Sequence, residues 1–74
     1  MVNHTTETLE IVLNGDRKSI PAGLTVLALL NHLGIAPERV AIELNRAIVR
    51  QPAWDATVID AGAEIEIVQF VGGG

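Results

Sequence analysis

The chain contains no cysteine and no tyrosine, and only one tryptophan and one phenylalanine. Without cysteine it forms no disulfide, thiolate zinc site or iron–sulfur cluster, which fits a reducing cytoplasm, the compartment expected for it. Basic residues are also few. Five Lys and Arg stand against nine Asp and Glu, a net charge of −4 that repels a phosphate backbone, so nucleic acid is not an expected partner. Long apolar runs are missing as well: a membrane helix needs roughly 20 apolar residues in succession, and no stretch approaches that. Met1 to Glu7 lacks the apolar centre of a signal peptide, and no membrane association is expected. The chain is short besides. Its 74 residues allow one domain with one core. A chain of this size buries only about 60% of its unfolded surface, leaving little wall for a deep, dry active site. A function exercised through a surface or a terminus is favoured.

What is present is apolar enough to fold. Hydrophobic residues make up 49% and charged residues 19%, a balance that disordered chains do not have. Met1 to Glu7 is polar and aperiodic and is expected to be a loose N-terminal extension. Leu9, Ile11 and Leu13 then alternate with Glu10 and Val12, and Asn14-Gly15 supplies a tight hairpin turn into a second strand over Arg17 to Ile20. Pro21-Ala22-Gly23 ends that strand. Thr25 is placed to cap a helix whose Val26, Leu29, Leu30 and Leu33 form one apolar stripe, and Gly34 suits its left-handed stop. After Pro37, Val40, Ile42 and Leu44 return to period two as a third strand. Asn45-Arg46 turns into a short strand, Ala47 to Val49, and Pro52-Ala53-Trp54 predicts a single helical turn. The last strand runs from Glu64 to Val71. Its alternation fails at Val68-Gln69-Phe70-Val71, which reads either as a bulge or as burial on both faces. This order of elements is α+β, one helix packed across a mixed sheet.

Gly72, Gly73 and Gly74 follow that strand directly. Glycines have no side chains to anchor them and lose the most backbone entropy when ordered, so the segment is expected to be mobile and able to enter a narrow channel. At neutral pH a terminal carboxyl on Gly74 is an anion, able to attack a nucleotide α-phosphate and become activated as a mixed anhydride. A frayed end without function is the plain alternative.

Several short stretches together resemble the ThiS family, the sulfur carriers of thiamine biosynthesis. They are Leu13-Asn14-Gly15, Thr25-Val26 with Leu29-Leu30, Val40 to Asn45, Val49-Arg50 with Trp54, and the ending Val68 to Gly74. The resemblance spans about Leu9 to Gly74. It implies a ubiquitin-like β-grasp fold with sheet order 2-1-5-3, the short fourth strand at the edge and strands one and five parallel at the centre. Together with the composition, the expected organisation is a flexible extension over 1–7, a β-grasp domain over 8–71 and a flexible glycine tail over 72–74. It further implies that the protein is not an enzyme. A ThiF-type adenylyltransferase using ATP and magnesium would adenylate Gly74, a sulfur-donating enzyme would convert it to a thiocarboxylate, and thiazole synthase would receive the sulfur. Gly72, Gly73 and Gly74 would be the segment inserted into those partners. No cofactor or metal is expected on the chain itself, and the free domain is expected to be monomeric. The extension Met1 to Glu7 is longer than the family usually has.

Other residues divide between bland and functional roles. Phe70 and Val71 read equally well as core or as an exposed docking patch for the activating enzyme, with Leu27 a weaker docking candidate. Trp54 reads as a plug for its loop. His4 and His32 have no second ligand or nucleophile at a useful spacing, and neither is assigned chemistry. Glu10, Glu43, Glu64 and Glu66 read as an outward, solvated face. Three rivals share the fold class. The small subunit of molybdopterin synthase is separated by co-purification with its own large subunit. A non-covalent interaction or RNA-binding module would ignore loss of Gly73-Gly74, and a ferredoxin lacks its ligands here.

Overall fold

The alternation of Leu9, Ile11 and Leu13 becomes β1, Thr8–Leu13, and the chain returns antiparallel as β2, Asp16–Pro21. Asn14 and Gly15 between them have φ of 50° and 87°, the paired positive values of a type I′ turn, whose twist matches the strands it joins. In the computed structural model residues 7–70 are described; the expected extension, apart from Glu7, and Val71 to Gly74 lie outside them.

The helix, α1, covers Val26–Leu33. Its start is well satisfied. The Ala28 N–H donates to Thr25 Oγ1 at 3.1 Å, and the N–H groups of Val26 and Leu27 donate to the carbonyls of Thr57 and Trp54. All three donors of the first turn thus have partners, two of them from a loop distant in sequence. At the other end Gly34 takes φ 74° and the Ile35 N–H reaches back to the Leu30 carbonyl at 2.9 Å, closing a Schellman-type stop. Val26, Leu29 and Leu30 are buried and Leu33 is partly so, which is the apolar stripe the spacing predicts.

A 3-10 turn over Pro37–Arg39 precedes β3, Val40–Leu44, where the spacing alone suggested that strand pattern resumes at once. Pro37 favours this turn because its fixed φ suits the first helical position, where its missing N–H costs nothing. Asn45 and Arg46, both at positive φ, turn the chain into β4, Ala47–Val49. A second 3-10 turn, Gln51–Ala53, delivers Trp54 to the interior, 3% exposed, where its indole N–H donates to the Val49 carbonyl at 2.7 Å. Trp54 is the loop plug its sequence context suggested.

The final strand, β5, is Glu64–Gln69. The sheet order is β2-β1-β5-β3-β4, with β5 parallel to β1 and antiparallel to β3, so the arrangement expected from the resemblance is the one found. Ile11, Ile20, Ile42 and Ile65 meet the helix stripe in one core. Burying each such side chain stabilises the fold by roughly 1.5–3 kcal/mol.

Two expectations are corrected here. β5 contains neither a bulge nor a doubly buried segment: its register with β3 runs unbroken from Leu44↔Ile65 to Val40↔Gln69. Alternation continues as well. Val68 and Phe70 share a parity with Glu64 and Glu66 and fall on the face away from α1, where both remain exposed. Leu27 also departs from its reading as a docking candidate, because it is partly buried against the core.

Candidate functional site

The candidate site is the root of the glycine tail, the last residues of β5. Phe70 is the final described residue, and its N–H donates to the Arg39 carbonyl at 2.7 Å, extending the β3 pairing one position past the strand. Its side chain and that of Val68 are each 56% exposed. Phe70 is therefore exposed and not part of the core. Val71, the other docking candidate, and Gly72, Gly73 and Gly74 lie outside the described residues.

Around the root, the face away from the helix mixes acid and apolar groups. Glu43 and Glu66 stand directly opposite each other on β3 and β5, with Ala41 opposite Val68 in the next outward pair. Ile48 on β4 lies opposite Glu43 and is 77% exposed. Glu64 is met by Arg46, whose Nε is 3.7 Å from Glu64 Oε1, in a pair so exposed that it adds little to stability. The acidic residues read as an outward face do lie there, with Glu43 only partly exposed.

What fixes the root is less obvious. β1 pairs with β5 only at Val12↔Glu64 and Leu13↔Ile65, then turns away at Asn14. The Asn14 carboxamide continues the pairing: its Oδ1 accepts from the Ile67 N–H at 2.8 Å and its Nδ2 donates to the Ile67 carbonyl at 3.3 Å. At the opposite end Asn45 Oδ1 accepts from the Glu64 N–H at 2.9 Å while the Asn45 N–H donates to the Glu64 carbonyl at 2.7 Å. Both turn asparagines therefore serve β5, and sequence reasoning assigned them only to their turns. Asn is in any case a favoured first residue of such turns, so nothing local marks this role.

Among the described residues no three His, Cys, Asp or Glu gather at metal-binding distance, and His32 sits exposed in the last turn of α1. No described helix is long and apolar enough to cross a membrane. The arrangement offers a presented strand end beside an apolar pair, framed by carboxylates.

The sequence profile of the ThiS family matches residues 7–74, which includes the strand end and all three glycines. The chain belongs to the ThiS family. A thiazole synthase of Magnetococcus marinus is 44% identical over 66 residues, covering 89% of this chain and 20% of that protein. A thiazole synthase of Paramagnetospirillum magneticum is 38% identical over the same shares. The chain thus spans about a fifth of the length of these curated relatives. The crystal structure of a thiamine biosynthesis protein (ThiS) from Geobacter metallireducens superposes with a TM-score of 0.78 at 33% identity, over 89% of this chain and 100% of that one. The ubiquitin-like β-grasp fold follows from the sheet order and from this likeness together.

Proposed function

We propose that this chain is a sulfur carrier for thiamine biosynthesis, itself not an enzyme, whose reactive group is the α-carboxylate of Gly74. The observation that carries the reading is the family match running through Gly72, Gly73 and Gly74, which in sequence follow closely on a strand held at the centre of the sheet. In the first step a Gly74 carboxylate oxygen attacks the α-phosphorus of ATP; the bond to the bridging oxygen breaks and pyrophosphate leaves. In the second, a sulfide-level sulfur nucleophile from a donor enzyme attacks the activated carbonyl carbon, and AMP leaves with the electron pair of the C–O bond. The thiocarboxylate that results is the form that gives up sulfur for thiazole formation. ATP and magnesium belong to the ThiF-type adenylating partner, not to this chain.

Thiazole synthase as the receiving partner is supported by two relatives of that name that include a region similar to this chain. Phe70 and Val71 are proposed as the grip for the activating enzyme. Phe70, 56% exposed at the foot of the tail, is where a partner can bury area without disturbing the core. Glycine suits the tail because nothing protrudes from it to meet the walls of a channel.

Intact mass spectrometry after incubation with ATP, magnesium, a ThiF-type enzyme and a sulfur source tests the proposal. The expected result is a gain equal to replacing one oxygen by sulfur, localised to Gly74. An unchanged mass with an enzyme active on its own carrier overturns it.

A further inference from the structure

We propose that Asn14 is a positioning residue for the tail: its carboxamide stands in for the missing end of β1 and fixes the direction in which β5 delivers the glycines. This rests on the carrier reading above. Backbone groups on a strand alternate sides, and Ile65 and Ile67 present theirs toward β1, as shown by the Asn14 N–H donating to the Ile65 carbonyl at 2.8 Å. β1 has no further strand residue to offer Ile67. Past Ile65, then, β5 would be held on its β3 side alone. The Asn14 side chain meets both groups of Ile67, one accepting and one donating. A planar carboxamide is the side-chain chemistry that imitates a peptide unit in this way; a carboxylate supplies only the acceptor, and glycine supplies neither.

Position makes this clamp different from the one at Asn45. Asn45 secures Glu64, where β5 begins, whereas Asn14 secures Ile67, the last point on the β1 side among the described residues at which β5 is tied down. Gly74 lies seven positions beyond Ile67 in the sequence. A strand end left free on one side at Ile67 widens the range of directions from which the tail starts, whereas the attack needs its carboxylate closely placed. Val68 and Phe70 ride on the same stretch, so the grip and the tail are aimed together.

Three variants separate positioning from stability. Asn14→Gly keeps the turn, since Gly-Gly is a favoured type I′ pair, and removes the clamp. Asn14→Asp keeps the acceptor alone. Asn45→Gly keeps its turn and removes the clamp at the start of β5. Amide exchange by NMR, urea unfolding and the rate of adenylation by a ThiF-type enzyme with ATP and magnesium are measured on each full chain. Asn14→Gly is expected to speed exchange at Ile67 and Phe70 and to lower kcat/KM for adenylation on the order of tenfold. Asn14→Asp is expected to fall between it and the parent, and Asn45→Gly to lose comparable stability with kcat/KM within twofold of the parent. Equal kcat/KM losses in Asn14→Gly and Asn45→Gly, or unaltered exchange at Phe70 in Asn14→Gly, overturn the proposal. Failure of the parent chain to be adenylated overturns the carrier reading instead, while exchange at Phe70 still decides whether Asn14 holds the strand.

Discussion

Arg46 occupies a backbone conformation that its own side chain makes costly, with φ at 70°. The matching position of the first hairpin holds Gly15 at φ 87°. A residue with a Cβ in the left-handed region sits roughly 1–2 kcal/mol above the right-handed one, and the entropy of a glycine there offsets part of the gain from relieving it. Arg46→Gly is therefore expected to stabilise the fold by roughly 0.5–1 kcal/mol, since the exposed contact with Glu64 that it gives up is weak. The change is read as a higher urea midpoint at unchanged slope, followed by the fluorescence of Trp54, the sole tryptophan. Features of this kind are legible in sequence because their causes are local: Thr25, Gly34 and the Asn14-Gly15 turn each act within four residues of themselves. The clamp from Asn14 to Ile67 is not legible, because 53 positions separate the two and nothing in either segment names the other.

At the scale of elements, β3 and β5 set Glu43 and Glu66 side by side on the solvent face, and like charges directly opposite each other weaken a ladder. No described cation pairs with either carboxylate. Glu66→Lys turns the repulsion into an attraction and is expected to stabilise the domain by roughly 0.5–1 kcal/mol at low ionic strength. Thermal unfolding at low and at high salt checks it: the gain shrinks as salt screens the pair, and a gain indifferent to salt would assign it to something other than charge. Periodicity located both strands well, since Ile65 and Ile67 alternate with Glu64 and Glu66. It could not order them in the sheet, because alternation says which residues share a face and is silent on which strand lies alongside. The order came from resemblance. Periodicity was also ambiguous at Val68 to Val71, where apolar residues occupy both parities; the continuous register with β3 and the exposure of Val68 and Phe70 resolve it.

For the molecule as a whole, stability and the proposed function draw on opposite faces of one sheet. The helix side holds the core, and the other side holds the exposed pair at the root of the tail. The two should therefore be separable by mutation. Ile65, 1% exposed between sheet and helix, is expected to cost roughly 2–5 kcal/mol as Ile65→Ala, enough to unfold much of a domain this small. Phe70→Ala removes a ring already 56% exposed, while the backbone bond from the Phe70 N–H to the Arg39 carbonyl is kept, so its urea midpoint should move by less than about 1 kcal/mol equivalent. If the ring is the grip for the activating enzyme, the loss appears in binding that ground and transition states share: KM rises several-fold and kcat stays near the parent value. A fall in kcat alone would mean that the ring acts at the reacting carboxylate and not as a grip. Removing Gly73-Gly74 is the complementary cut. Neither glycine has a side chain to lend a core, so unfolding should be unchanged, while thiocarboxylate formation should vanish. Such a truncated chain, if Phe70 and its neighbours still dock, should compete with the parent for the activating enzyme at close to the parent's KM. Loss of competition together with loss of reaction would place the binding energy in the glycines and leave the exposed face of β5 without a part in it.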